Sequence, residues 1–201
     1  MSIEFLKRAS GYPAKLGILP GAFNPPTRAH LELGTAALKE MDEVLFVLPR
    51  TLPHKQYDGV SFADRLDLLL AATAHEPRFS VGTCEGGLFV EIARECREAY
   101  SAPTDLVFLC GRDAAARIIN WDYGDPSVLP HMLADFSMRV ADRGGTYTPP
   151  QEFQHRIRAL ELSVPCDHIS ATEVRDRIQK GEAWEFLVPD RIVDRARQLY
   201  K

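Results

Sequence analysis

Long hydrophobic runs are missing from this sequence. A helix that crosses a membrane needs about 20 consecutive apolar residues, and no uninterrupted apolar stretch among the 201 residues approaches that length. Residues 1–14 contain Lys7 and Arg8 but neither an apolar stretch nor a small-residue cleavage site after them, so no secretory signal is predicted. We therefore expect a protein without membrane spans that resides in the cytoplasm.

Closely spaced cysteines and an excess of basic residues are also lacking. The four cysteines, Cys84, Cys96, Cys110 and Cys166, are scattered, whereas zinc and redox motifs place cysteines within a few residues of each other. We expect reduced thiols of mainly structural role and no protein-held metal. A net charge of −4 and a pI near 5.9 exclude an extended nucleic-acid surface, which needs a basic stripe. A few local Lys and Arg residues can still hold a small anion.

What the chain does contain is a regular alternation of apolar patterns. Five runs have the character of buried strands: Leu16–Leu19, Val44–Leu48, Phe79–Val81, Leu106–Cys110 and Phe136–Val140. Between them, apolar residues recur every three to four positions, which predicts helices over Ala29–Glu40, Phe62–His75, Phe89–Tyr100 and Ala114–Ile119. This alternation predicts an α/β fold, a Rossmann-like, doubly wound and mostly parallel sheet with helices on both faces.

The size of the chain indicates one domain. Its 201 residues, 45% hydrophobic, suffice for one buried core, which we place at about residues 15–165, followed by a helical part at about 168–201. One helix of that part is predicted from Thr172 to Lys180, closed by Gly181, and another after Pro189. Repeats, low-complexity tracts and linkers are absent from the sequence, and Gly144–Pro150 is predicted to be a loop.

The first informative motif is Gly21–His30, which follows the first strand candidate and leads into a helix. The free N–H groups and the positive dipole end of a helix start favour an anion. Thr27 and His30 add side-chain donors on one face of the first turn. Ligands of such sheets bind beyond the carboxyl ends of the strands, so this loop is predicted to hold a nucleotide phosphate.

The second motif, His168–Arg175, opens another helix. One interpretation is a capping box, in which Ser170 accepts a backbone N–H and Glu173 reaches back to the N–H of Ser170. In the other, Ser170 and Thr172 donate hydrogen bonds to phosphate oxygens while Arg175 adds charge-assisted bonds. The two interpretations are compatible, because a capped helix start still points N–H groups outward.

Together the two motifs resemble the signatures of the nucleotidyltransferase superfamily. Its first motif ends in His or Thr, any residue, Gly and His, and its second runs Ile-Ser-x-Thr-x-x-Arg, as at Ile169–Arg175. The resemblance narrows to the bacterial nicotinate (nicotinamide) mononucleotide adenylyltransferases, also called nicotinate-nucleotide adenylyltransferases, through further matches along nearly the whole chain. These are Pro53-His54-Lys55, Gly111-x-Asp113, Trp121, Arg143-Gly144 and Leu187-Val188-Pro189.

The resemblance implies adenylyl transfer in NAD biosynthesis. A phosphate oxygen of the mononucleotide would attack the α-phosphorus of ATP in line, and pyrophosphate would leave with Mg²⁺. The protein would therefore position the reactants and neutralise their charge. ATP would be bound by Gly21, Ala22, Phe23, Thr27, His30, Gly111, Asp113, Ile169, Ser170, Thr172 and Arg175. The catalytic residues implied are His30, Thr27, Lys55 and Arg175. His30 would donate to the α-phosphate, for which a protonated imidazole is a stronger donor than a neutral one.

The acceptor-binding residues implied by the resemblance are Asn24, Lys55, Trp121 and Arg143. Trp121 would stack on the pyridine ring, and its structural alternative is a buried loop anchor. Arg143 would bind the phosphate or carboxylate of the mononucleotide, and its alternative is a solvated side chain. No protein-bound metal, nucleic acid or membrane partner is implied, and self-association is left open.

The sequence departs from the family pattern at four places. Thr27 stands where this subgroup usually has His, Ala29 where it has Gly, and Asn24 where it has Asp. A methyl group at Ala29 is expected to crowd the nucleotide. Gly86–Glu91 replaces the family's Ser-Tyr-Thr, which helps to recognise the nicotinate end. Two alternatives therefore stay open: transfer to another acceptor, as in phosphopantetheine adenylyltransferases or cytidylyltransferases, and an inactive nucleotide-binding regulator.

Overall fold

The computed structural model describes residues 2–51, 59–100, 103–141 and 147–201. Its strands are β1 (Glu4–Lys7), β2 (Lys15–Pro20), β3 (Glu43–Pro49), β4 (Phe79–Cys84), β5 (Asp105–Gly111), β6 (Ser137–Ala141) and β7 (Ile157–Leu160). Its α-helices are α1 (Arg28–Ala37), α2 (Phe62–Thr73), α3 (Phe89–Tyr100), α4 (Arg112–Ile119), α5 (Val128–Asp135), α6 (Ala171–Lys180) and α7 (Val193–Leu199). None of the helices in these ranges is long and apolar enough to cross a membrane.

All seven strands form one sheet in the order β1-β4-β3-β2-β5-β6-β7. Every neighbouring pair is parallel except β1 with β4. Strand β2 lies between β3 and β5, and the chain winds outward from it in both directions. The carboxyl end of β2 is therefore the topological switch point, where doubly wound sheets bind their ligands. The predicted Rossmann-like fold is confirmed.

Helices cover both faces of the sheet because its central strands are apolar on both sides. Strand β3 is buried at every position. One core cluster holds Ile92 of α3 and Leu133 of α5 against one face, and a second holds Leu33 of α1 and Leu69 of α2 against the other. A third cluster joins α2 to α6 and α7, so the helical end of the chain is fastened to the sheet layer through α2.

Helix α1 approaches the sheet closely at Gly34. A Cβ atom there would lie 2.8 Å from Cζ of Phe46 and 3.1 Å from the ring of Phe79. The glycine therefore lets the helix settle onto β3 and β4. That packing fixes the axis of α1, whose first turn begins at the switch point.

Three elements were missing from the sequence predictions. Strands β1 and β7 are edge strands of four residues each, too short for alternation to stand out. Helix α5 carries Pro130 in its first turn, where proline is tolerated although it argues against a helix interior. The position of β1 is secured by Lys7, whose Nζ donates to the carbonyls of Thr73 and Glu76 at the end of α2, both at 2.7 Å.

Candidate active site

The loop between β2 and α1 has an unusual backbone. Phe23 has a φ of +46°, in the left-handed region that side chains seldom adopt. Its ring is buried and lies edge-on to the ring of His30, with 5.1 Å between centroids. A left-handed residue of this kind costs about 1–3 kcal/mol unless its surroundings hold it, and such residues concentrate at functional sites.

Two arginines hold the carbonyls on either side of Phe23. Arg65 of α2 donates from Nη1 to the carbonyl of Ala22 at 2.9 Å, and Arg175 of α6 donates from Nη1 to the carbonyl of Asn24 at 2.6 Å. In a trans peptide the C=O and N–H point in opposite directions. Because the Ala22 carbonyl points to Arg65, the N–H of Phe23 points away from it. The arginines thus orient the backbone donor as well as hold the turn.

His30 is held by the residue that caps its helix. The backbone N–H of Thr27 donates to Nδ1 of His30 at 2.9 Å, and Oγ1 of Thr27 lies 2.8 Å from the same nitrogen. A backbone N–H can only donate, so Nδ1 must offer a lone pair and the ring proton resides on Nε2. This geometry fits a neutral imidazole that carries its proton on Nε2.

Thr27 lies behind the loop. It is fully buried, and its hydroxyl faces His30. Its contact with ATP phosphates stays a prediction. Ala29 is likewise buried, 1% exposed, so its methyl group does not project into an open nucleotide site. The departures at positions 27 and 29 therefore shape the interior behind the loop.

Asn24 is buried and bonded to the end of the chain. It is 5% exposed, and its Oδ1 accepts a hydrogen bond of 2.5 Å from the hydroxyl of Tyr200. The acceptor-binding role of Asn24 stays a prediction. The sequence offered one signal for Tyr200: Ile192, Ala196 and Tyr200 recur every four residues, which predicts a buried helix face. A buried hydroxyl needs a partner, but the spacing does not say which.

The start of α6 combines a cap with exposed hydroxyls. Oγ of Ser170 accepts from the N–H of Glu173 at 3.0 Å, whereas the Glu173 carboxylate pairs with Arg177 at 2.6 Å. The capping box is therefore only half formed. Ser170 and Thr172 are exposed, and Nη2 of Arg175 lies 3.3 Å from Oγ1 of Thr172. Ile169 is half-buried and packs against the third core cluster.

Arg175 brings the two sequence motifs together. Its bond to the Asn24 carbonyl joins the first turn of α6 to the residues just before α1. The start of α6 is therefore linked through Arg175 to the loop that leads into α1, and each helix N-terminus favours a negatively charged ligand. The first turn of α1 contains no acidic residue. The arrangement suits a ligand with several phosphate groups.

Of the remaining predicted residues, three lie in or after β5 and two fall outside the described ranges. Strand β5 pairs with β2 and ends at Gly111, and Asp113 is exposed in the first turn of α4. Trp121 is 53% exposed, which excludes a buried anchor, and it lines a cleft of about 810 Å³ with Tyr123 and Phe153. Lys55 and Arg143 fall outside the described residues.

No dedicated metal cage is found in the part of the chain that the structure describes. Within it, no group of three or more His, Cys, Asp or Glu side chains is arranged to hold a metal ion. A magnesium ion at such a site is typically carried by substrate phosphates with few protein ligands.

Comparison with known proteins places the chain in a family. A family model described as cytidylyltransferase-like matches residues 18–177. The probable nicotinate-nucleotide adenylyltransferase of Moorella thermoacetica is 30% identical over 94% of this chain and 93% of its own length. Proteins of the same name from Citrifermentans bemidjiense and Acidothermus cellulolyticus are each 31% identical, over 89% and 92% of this chain and 93% and 92% of their own.

A solved structure shows the same fold. The Plasmodium falciparum nicotinic acid mononucleotide adenylyltransferase complexed with NaAD matches with a TM-score of 0.67, covering 92% of this chain and 97% of that chain at 17% identity. At that identity the solved structure shows the fold alone, and the sequence matches show the family. The chain therefore belongs to the cytidylyltransferase-like family, is a nucleotidyltransferase, and groups there with the nicotinate-nucleotide adenylyltransferases.

Proposed function

We propose that the chain transfers the adenylyl group of ATP to the phosphate of nicotinate or nicotinamide mononucleotide and releases pyrophosphate. The observation that carries this proposal is the bond from Arg175 to the Asn24 carbonyl, which links the second motif to the first beside the switch point of the sheet. One nucleotide triphosphate can then lie between both motifs. Relatives that match nearly the whole chain are named nicotinate-nucleotide adenylyltransferases.

In the proposed mechanism the protein positions reactants and stabilises charge. A phosphate oxygen of the mononucleotide attacks the α-phosphorus of ATP, and the bond from that phosphorus to the pyrophosphate oxygen breaks in line. The Nε2–H of His30 donates to the α-phosphate as charge develops, and the Phe23 N–H lies with it on the ligand side of the loop. Losing one such donor costs about 100-fold to 1,000-fold in kcat.

The leaving pyrophosphate is assigned to the start of α6. Ser170 and Thr172 are exposed. Arg175 has five N–H donors, more than its three contacts with described residues use. ATP would arrive with bound Mg²⁺, which would neutralise phosphate charge. Lys55 is proposed to reach the triphosphate.

The acceptor is proposed to lie beyond β5. Trp121 would stack on the pyridine ring from its cleft, and Arg143 would bind a phosphate or carboxylate. Gly111 and Asp113 would border the ribose of the neighbouring ATP. The exposed indole of Trp121 supports its part of this assignment. We infer a cytoplasmic enzyme.

A second candidate keeps the transfer and changes the acceptor. The resemblance implies a motif for the nicotinate end at Gly86–Glu91, and this chain lacks it. Here the carboxylate of Glu91 accepts the N–H of Leu88 at 3.0 Å and closes the Gly86–Leu88 turn. A carboxylate there disfavours a negatively charged carboxylate on the acceptor ring. Phosphopantetheine, which has no pyridine carboxylate, would then be the acceptor.

One assay tests both candidates. The protein is incubated with ATP, Mg²⁺ and, in turn, nicotinate mononucleotide, nicotinamide mononucleotide or phosphopantetheine, and pyrophosphate release is measured. Release with either pyridine mononucleotide and loss of at least 100-fold in kcat for His30→Ala support the proposal. Release with phosphopantetheine alone selects the second candidate. Tight ATP binding without release for any acceptor would overturn both.

A further inference from the structure

The segment after the last helix reaches the nucleotide loop. Tyr200 follows α7, is 8% exposed, and donates its hydroxyl to Oδ1 of Asn24 at 2.5 Å. The two residues are 176 positions apart in the chain. Asn24 lies one residue after the left-handed Phe23 and three before the helix cap Thr27. The contact therefore meets the loop between its strained turn and the residue that orients His30.

Asn24 is held at two separate atoms. Arg175 binds its backbone carbonyl and Tyr200 binds its side-chain oxygen. Two anchors on one residue restrict its rotation as well as its position. The next two residues are Pro25 and Pro26, whose φ angles are fixed by their rings, so the orientation of Asn24 is passed on to the start of α1.

Tyr200 is itself held firmly. It belongs to the third core cluster, with Leu68 of α2, Val174 of α6 and Trp184. Burial is the main cause that raises the pKa of Tyr200, and the nearby Arg65 and Arg175 lower it in part. The hydroxyl therefore keeps its proton and remains a donor at neutral pH.

We propose that Tyr200 is a positioning residue of the nucleotide site, whose hydroxyl holds the Asn24 side chain and so keeps Gly21–Pro26 and His30 in the ATP-binding arrangement. This inference rests on the proposed function only in that the loop binds ATP. It requires neither a particular acceptor nor turnover.

The test compares two buried tyrosines. Tyr200→Phe removes the hydroxyl that reaches Asn24. Tyr100→Phe is the control: its hydroxyl, at the end of α3, donates at 2.5 Å to Glu43 at the start of β3, away from the switch point. Binding of a non-hydrolysable ATP analogue is measured by calorimetry, and the melting temperature by scanning calorimetry. Tyr200→Phe should raise the Kd for the analogue about tenfold, the scale of one hydrogen bond. Tyr100→Phe should change that Kd by no more than about twofold, although it should lower the melting temperature at least as much as Tyr200→Phe does.

A second set of variants checks the partner. Asn24→Ala should weaken analogue binding to a similar extent, and the double variant with Tyr200→Phe should be no weaker than either alone, because both remove one contact. Asn24→Asp keeps an oxygen for the Tyr200 hydroxyl and should bind within about threefold of the wild type. Unchanged analogue binding in Tyr200→Phe, or additive losses in the double variant, would overturn the inference. A wild-type protein that binds the analogue but transfers nothing would refute the proposed function and leave this test intact.

Discussion

At the scale of single residues, the pair Thr27 and His30 matters most. The buried Thr27 satisfies Nδ1 of His30 from both its N–H and its hydroxyl, and this leaves Nε2–H as the donor on the other side of the ring. Such support by a neighbour keeps a catalytic group within the narrow geometry that it needs. The role of Thr27 is thus to orient the proposed catalytic histidine.

Thr27→Val should therefore lower kcat about tenfold while the KM for ATP stays within about twofold, because the imidazole loses one of two partners and samples other orientations. Thr27→Ser restores the hydroxyl and should recover most of kcat. Thr73→Val is the matched control, since Thr73 is equally buried and its hydroxyl donates to Leu69 within α2. An equal fall in kcat for Thr73→Val would refute the orienting role.

These residue-scale features set the limit of sequence-based prediction. Helix α3 was predicted with the right bounds because its apolar spacing is clear, and Gly181 was correctly predicted as the cap of α6, with φ of +69°. The partner of a buried hydroxyl depends on tertiary contacts instead. The spacing of three residues puts Thr27 and His30 on one helix face, but no local pattern indicates that Tyr200 reaches Asn24. The ligand contacts of Thr27 and Asn24 stay predictions.

At the scale of elements, the start of α6 combines a helix cap with a proposed phosphate contact, and the two can be tested separately. In α6, Ser170 both caps the helix and exposes its hydroxyl. A cap needs only an oxygen acceptor at this position, whereas a phosphate contact needs a donor. Replacements that keep the cap can therefore isolate the ligand contact.

Ser170→Asp should retain the cap and leave the free energy of unfolding within about 0.5 kcal/mol of the wild type. Its carboxylate would repel the triphosphate, so the KM for ATP should rise about tenfold. Ser170→Ala should instead lose about 1 kcal/mol of stability with a smaller rise in KM. Denaturant titration and steady-state kinetics measure the two quantities. An unchanged KM for Ser170→Asp would remove Ser170 from the phosphate site.

At the scale of the whole molecule, buried protonated groups make the free energy of unfolding fall at alkaline pH. Burial raises the pKa of Cys110 to about 12 and, with Glu95, Glu85 and Glu91 adding to it, that of Cys84 to about 12. Burial followed by the Glu43 charge raises the pKa of Tyr100. The native state keeps these protons at pH values where the unfolded chain has released them. Stability is therefore complete below about pH 8.5 and is lost as the pH rises toward 12.

We expect the free energy of unfolding to fall between about pH 9 and 10.5, with each such group contributing up to about 1.4 kcal/mol per pH unit. Urea titrations across this range measure the slope. Cys110→Ala should be less stable overall, because it leaves a small void, yet show a shallower slope. A slope identical to that of the wild type would mean that Cys110 does not titrate abnormally.

The double hold on Asn24 also dictates an order of assembly. Its contacts with Arg175 and Tyr200 span 151 and 176 residues, whereas β2 and β3 pair through one intervening helix. Contacts between distant residues carry the larger loop-closure entropy and form later. During refolding the sheet should therefore assemble before the loop reaches its final shape. Competence to bind ATP then becomes a chemical readout of complete folding.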